Sequence, residues 1–301
     1  MQTHYLSHAL LKFFKTLQNA APDFDAYVLM HLPANAPVPD MLSTVPHHFV
    51  TTPEIKNPAY GRKSGGEGWH IWQGGNTDLI ALHFLCSHTA YDNYWFIEYD
   101  VRFSGAWHEF FASFEETEAD FLSTTVFRRS SNPSWMHWPT LRVPPSIGLS
   151  STDLIASFMP IYRISRRAAQ AIDHAYQSGW SGHCEVTWPT IINRAGFSIE
   201  DFGGDGEFVR EPNRNRFYTN TLLDPNLAPG SLVLRPARAF TGLKKEKLWH
   251  PVKPIRYKLR EDARHVWVTL KPYISRLYSG RAAPPAGVLG EPLNAAKREA
   301  R

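Results

Sequence analysis

The stretch Tyr94-Trp95-Phe96-Ile97-Glu98-Tyr99-Asp100-Val101 decides the fold. Its first four residues are apolar without a break, which marks a strand buried on both faces rather than one that alternates with solvent. Such a strand needs helices on both sides of its sheet, and the flanking sequence supplies them. Upstream, Leu79, Ile80, Leu82, Phe84 and Cys86 predict a helix to about His88, with Asn76 as its cap. Downstream, Trp107 to about Glu116 reads as a helix and Asp120 to Val126 as the next strand. Strand alternating with helix predicts an α/β fold with a mainly parallel sheet.

Further out, Leu6, Leu10, Phe13, Phe14 and Leu17 recur at helical spacing and predict an amphipathic helix from His4 to Asn19, stopped by Pro22. On this reading the chain opens on a helix, with no strand ahead of it. Asp25 to His31 and His48 to Thr51 read as strands on either side of a Pro-rich loop. In the second half Ser165 caps a helix through Ala168, Ala171, Ile172 and Tyr176 that Gly179 ends. Pro189 to Ala195 forms another, closed by Gly196, and Phe197-Ser198-Ile199 and Leu232-Val233-Leu234 read as short strands. The expected organisation is one α/β domain over 1–253, a basic and partly helical extension over 254–278, and a disordered tail over 279–301.

A chain of 301 residues that is 43% hydrophobic can bury a large core. Two cysteines, Cys86 and Cys184, are too few for a disulfide framework, so a reducing cytoplasm is the expected setting. No run reaches the ~18 apolar residues of a membrane span, and the N-terminus lacks a signal-peptide layout. The motifs of P-loop, dinucleotide-binding and nucleophile-elbow enzymes are missing, and nothing points to nucleic acid as a partner. From Lys244 to Arg281 eleven Lys and Arg face only three acidic residues, in a chain of net charge +4. A solvated surface is the plainer reading of such a run, and peripheral contact with the inner face of a membrane is the functional one.

Three segments carry chemistry. Glu98 and Asp100, two apart in an extended strand, project to one face at the carboxyl edge of the sheet, where open α/β folds bind ligands. Two carboxylates there suit Mn²⁺ or Mg²⁺, whose remaining ligands come from water and phosphate. In Gly182-His183-Cys184-Glu185-Val186-Thr187-Trp188-Pro189-Thr190, Glu185 is a candidate general base, or simply complements a helix N-terminus. In Leu248-Trp249-His250-Pro251-Val252-Lys253, His250 can complete a metal's coordination and Lys253 can meet a phosphate. Each motif alone is weak.

Taken in order, the three resemble the motifs of metal-dependent glycosyltransferases of the GT-A fold. More narrowly, "YWFIEYDVRFSGAW", "GHCEVTWPT" and "LWHPVK" resemble signatures of a poorly characterised bacterial and fungal glycosyltransferase-like family. The resemblance spans roughly Asp25 to Lys253 and implies a GT-A-like, Rossmann-like, mainly parallel sheet, from which this sequence departs in opening on a helix without the first strand. It implies a nucleotide-sugar donor, a glycan or lipid-linked acceptor and an inverting transfer. Asp100, Glu98 and His250 would hold the metal, and Glu185 would be the base. Lys253, Arg163 and Trp188 would contact substrate, with Trp69, Trp72 and Trp107 as further aromatic surfaces for sugar rings. The sequence departs from the pattern in beginning its acidic motif with Glu. Two other classes stay open: a metal-dependent phosphoesterase or other hydrolase using the same carboxylates with some of the 14 histidines, and a non-catalytic carbohydrate-binding protein.

Overall fold

A computed structural model describes residues 1–66, 68–257, 259 and 271. The expected helical extension and tail therefore lie almost wholly outside the described residues, and so does most of the basic segment on which membrane contact rests.

The elements that position the site are β1 (Gln2–Thr3), α1 (His8–Ala20), β2 (Val28–Leu32), β3 (His47–Thr51), α2 (Asp78–Ser87), β4 (Asn93–Ile97), β5 (Arg102–Phe103), α3 (Trp107–Ala112), β6 (Phe121–Arg128), β7 (Ile155–Ser165), α4 (Arg166–Gln177), α5 (Cys184–Arg194), β8 (Ile199–Asp201) and β9 (Leu248–Trp249). β3, β2 and β1 form a parallel sheet, and β4, β7, β6 and β8 form a mixed one in that order. A parallel bridge between Gln2 and Glu98 joins the two edge to edge, with the Tyr99 amide donating to the Gln2 carbonyl at 3.0 Å. β5 and β9 make a separate antiparallel pair.

The fold is α/β, as expected, but two expectations are corrected. The chain opens on a strand: β1 pairs with β2, and Ser7 caps α1 through the Leu10 amide, so the helix begins at His8 and not at His4. Two residues of strand carry no legible periodicity, which is why the pattern missed them. The second sheet is mixed rather than mainly parallel, because β7 runs antiparallel to both β4 and β6. Between β6 and β7 the described chain has one short 3₁₀ turn, Trp138–Thr140, and no crossover helix, which parallel neighbours require.

β7 is also the element the sequence reading left out. It has 11 residues, ten of them buried, yet Pro160 in its middle argues against a central strand. The conflict is resolved locally. Pairing with β4 runs from Asn93–Ser165 to Ile97–Ile161, and beyond it the Glu98 amide donates to the Pro160 carbonyl at 2.8 Å. The register toward β6 shifts around the same point.

Side chains of β4 alternate between two cores, as a strand buried on both faces must. Tyr94 and Phe96 pack with α2, α4 and α5, while Ile97 packs with Phe13 and Leu17 of α1 and Trp107, Phe110 and Phe111 of α3. The predicted Ser165 cap and Gly179 terminus of α4 are both present, the Ser165 hydroxyl accepting from the Ala168 amide at 3.2 Å and Gly179 adopting φ +99°. α5 starts five residues earlier than expected, with His183 as its cap and Pro189 inside it, which puts Glu185 in the first turn. Leu232 to Leu234 contributes a single bridge, Leu232 to His250, instead of a strand.

Candidate metal-binding pocket

β1 leads to β2 and β3 on one side, whereas β4 lies on its other side, so the strand order reverses between β1 and β4. Crevices outside the carboxyl ends of strands at such a reversal are where open α/β sheets take ligands. A pocket of about 270 Å³ opens there, lined by Gln2 and Glu98 from the two strand ends, Trp72, Asn76, His137, His183, Glu185 and His250.

Glu98-Tyr99-Asp100 does not continue β4. Glu98 makes the bridge to Gln2, and Tyr99 and Asp100 form a turn closed by the Val101 amide on the Glu98 carbonyl at 3.0 Å. The two carboxylates therefore converge through a turn rather than through strand alternation. β5 follows at once and pairs with β9, so Leu248–Trp249 delivers His250 back to the same turn. The Val252 amide donates to the Asp100 carbonyl at 2.8 Å and locks the two segments together.

In this group the His250 Nε2 lies 3.4 Å from a Glu98 oxygen and 3.7 Å from Asp100 Oδ2. His250 Nδ1 is 2.8 Å from the Val233 carbonyl, which requires the proton on Nδ1 and aims Nε2 at the carboxylates. Lys253 Nζ is 2.5 Å from Asp100 Oδ2 and also donates to the Tyr99 hydroxyl. Burial works against ionising Asp100, but His250 and Lys253 outweigh it and hold the carboxyl below its usual range. Burial likewise opposes a charge on His250, and Asp100 and Glu98 outweigh that, so its pKa is raised. Asp100 Oδ1 is buried with no hydrogen-bond partner. Two carboxylates and one imidazole whose ligand atoms lie within 4.8 Å of one another, with a spare buried oxygen, fit a divalent cation that accepts hard donors.

Glu185 lines the same pocket. Its side chain is buried, Oε2 has no hydrogen-bond partner, and burial together with the Glu98 charge pushes its pKa up to about 8. The same oxygen lies 3.5 Å from His137 Nε2 and 3.8 Å from His183 Nδ1. The two imidazoles stack with centroids 3.5 Å apart and planes 7° from parallel. Burial lowers the His137 pKa to about 4, and burial with His137 and Lys63 nearby holds His183 well below its ordinary value, so both rings are neutral near pH 7.

Of the residues expected to contact substrate, Lys253 is committed to Asp100 and the Tyr99 hydroxyl and does not line the pocket. Arg163 and Trp188 are elsewhere. Arg163 pairs with Trp95 in the middle of β4, and its guanidinium donates to the carbonyls of Phe114, Thr117 and Ala119 at 2.7–3.1 Å. Trp188 is fully buried, its indole N–H donating to Asp78 and to the Tyr176 hydroxyl, both at 3.0 Å. Trp107 is also core, whereas Trp72 is 47% exposed on the pocket wall.

Sequence reasoning gave no role to His137 or Lys63. His137 sits 46 residues before His183, in Trp135-Met136-His137-Trp138-Pro139, a spacing that matches no ligand signature. Lys63 is buried against Asp78 at 3.1 Å and donates to the Gly182 carbonyl at 2.7 Å, fixing the loop just ahead of His183. Only an apolar helix flank, Leu79 to Leu85, hinted that Asp78 would be inside.

A scan against known protein families and a search of curated proteins return no match to this chain.

Proposed function

We propose that this pocket belongs to a metal-dependent glycosyltransferase of GT-A-like architecture that takes a nucleotide-sugar donor. The observation that carries the reading is the convergence of Glu98, Asp100 and His250 beside a strand-order reversal. These three residues would hold Mn²⁺ or Mg²⁺, which when bound neutralises charge on a departing diphosphate. The chain's own contributions are positional and protonic. The Nδ1–H···O=C bond to Val233 keeps His250 Nε2 turned to the carboxylates, and Lys253 holds Asp100 ionised while the ion is away. Trp72 offers an exposed aromatic face at the mouth for a sugar or base ring. In the same pocket, Glu185 is the candidate to accept the proton of a glycan or lipid-linked acceptor hydroxyl.

The second histidine group favours one competing reading, a two-metal phosphoesterase, whose ions would span both walls of a shared pocket. Calorimetry with nucleoside diphosphates and Mn²⁺, then transfer assays with a panel of nucleotide sugars with and without EDTA, test the first reading. The expected result is Mn²⁺-dependent binding that Asp100→Asn abolishes. Hydrolysis of generic phosphomonoesters and diesters without nucleotide-diphosphate affinity selects the second.

No helix among the described residues is long and apolar enough to cross a membrane. Peripheral membrane contact is a proposal that rests on the basic segment alone.

A further inference from the structure

We propose that His137, His183 and Glu185 form a second metal site, distinct from the Glu98, Asp100 and His250 group and selective for a borderline transition ion of the Zn²⁺ class. Two imidazole nitrogens and one carboxylate oxygen lie within 4.8 Å of one another at the wall of the pocket. That donor set suits Zn²⁺ or Co²⁺ over Mg²⁺, and three protein ligands leave a position open toward the pocket.

The second, independent observation is Glu185 Oε2, a buried carboxylate oxygen without a hydrogen-bond partner that lies 3.5 and 3.8 Å from the two ring nitrogens. Neither separation is a hydrogen bond, yet the three polar atoms gather within 4.8 Å of one another. The one hydrogen bond at these atoms is the long contact from the Glu185 amide to His183 Nδ1, at 3.4 Å, which an ion would displace.

The rings are also held from behind. Thr140 Oγ1 donates to the His137 carbonyl at 2.7 Å and accepts from the His183 amide at 3.0 Å, so one side chain sets the spacing of both histidines. Gly75, at φ +72°, packs against the His183 ring so closely that a Cβ there would come within 2.7 Å of Cγ. Outer contacts of this kind orient metal-binding imidazoles. The inference goes beyond the transferase reading and alters one assignment within it: with an ion bound, Glu185 would be a ligand, and the proton acceptor would be the hydroxide left when such an ion lowers the pKa of its water and that water loses a proton to solvent.

The test is titration of the metal-stripped full chain with Co²⁺, read by visible absorbance in excess Mg²⁺. Wild type and Asp100→Asn should bind Co²⁺ alike, whereas the His137→Gln/His183→Gln variant should lose at least ~100-fold in affinity, the scale that even outer-shell changes reach. Glu185→Gln keeps the side chain's shape and should lose at least ~10-fold on the same scale, which covers the case in which the double variant does not fold. Unchanged Co²⁺ affinity in both variants overturns the site, and so does a loss confined to Asp100→Asn, which would move the ion to the other wall. If no nucleoside diphosphate binds while the Co²⁺ pattern holds, the transferase reading fails and this site stands.

Discussion

Asp100, grouped with the pocket-lining Glu98 and His250, and Glu185, which lines the same pocket, are 2% and 6% exposed and are pushed in opposite directions. Asp100 is driven toward its anion and Glu185 toward its acid. Depth cannot be the reason, because it is nearly the same for both. The neighbours differ: Asp100 has Lys253 and a readily charged His250, whereas Glu185 has two imidazoles too deeply buried to protonate. The comparison teaches that the sign of the adjacent charge, more than burial, decides whether a buried carboxyl ionises. It also divides the labour that each wall can perform before any ion arrives.

The sharpest way to break the comparison is to remove Asp100. Asp100→Ala leaves Lys253 and His250 partly buried without their anion, and breaking a buried pair from one side costs about 3–5 kcal/mol. Urea denaturation in EDTA should register that loss near pH 7. A group with a depressed pKa lends stability above its ordinary value of 3.8 that disappears as pH falls through the lower folded value, so the gap should narrow in acid. A loss below about 1 kcal/mol, the level of an exposed pair, would mean that water screens the site.

Glu185→Gln should act with the opposite sign. Its pKa is raised from 4.5 to about 8, so its contribution is fully present below pH 4.5 and drains away as pH rises through 8. At pH 7 in EDTA the variant should gain about 3 kcal/mol over wild type, an advantage that vanishes by pH 4.5. A variant less stable than wild type at pH 7 would show that Glu185 is already ionised. Thr140→Val comes next: it removes the acceptor of the His183 amide and should cost about 1–2 kcal/mol. Its Co²⁺ affinity should fall with it, while that of the Asp100 wall stays level.

The uneven legibility of the two walls has a physical cause. Glu98, Asp100 and His250 could be named because acidic residues at a strand end and a histidine before proline are local patterns, and the structure brings all three together. Even so, their geometry differed from the expectation: a turn, not strand alternation, converges the carboxylates. The other wall was half visible. Glu185 stood out as a carboxylate in a helix-opening motif, but His137 reaches it only because the segment from β6 to β7 folds back over α5, which a one-dimensional pattern does not encode. Arg163 and Trp188 were misassigned for a related reason. Residue type offered both as binders, and burial makes one a clamp on three carbonyls and the other a core ring. Likewise the longest strand went unread, and Pro160 at its centre is the residue that a local rule places outside central strands.

The smallest expected effect on stability is the most specific for ligand binding. The sequence reading put Trp188 ahead of Trp72 as a substrate contact, yet Trp72 is 47% exposed at the pocket and Trp188 is fully buried. Trp72 touches the rest of the protein through edge-on contacts with His4 and His31, at centroid distances of 5.6 and 5.7 Å. Trp72→Ala should therefore shift unfolding by no more than about 0.5 kcal/mol, as surface substitutions do. Stacking on a ring is worth about 1–3 kcal/mol, so nucleotide or sugar affinity measured by calorimetry should fall by roughly 5- to 150-fold. Trp188→Phe gives the control, because it loosens the Asp78 and Tyr176 bonds from a fully buried ring that does not itself line the pocket. If both variants lose affinity in proportion to stability, the aromatic face is scaffold. If only Trp72→Ala does, and at unchanged stability, the pocket face that Trp72 lines is where a planar ring rests.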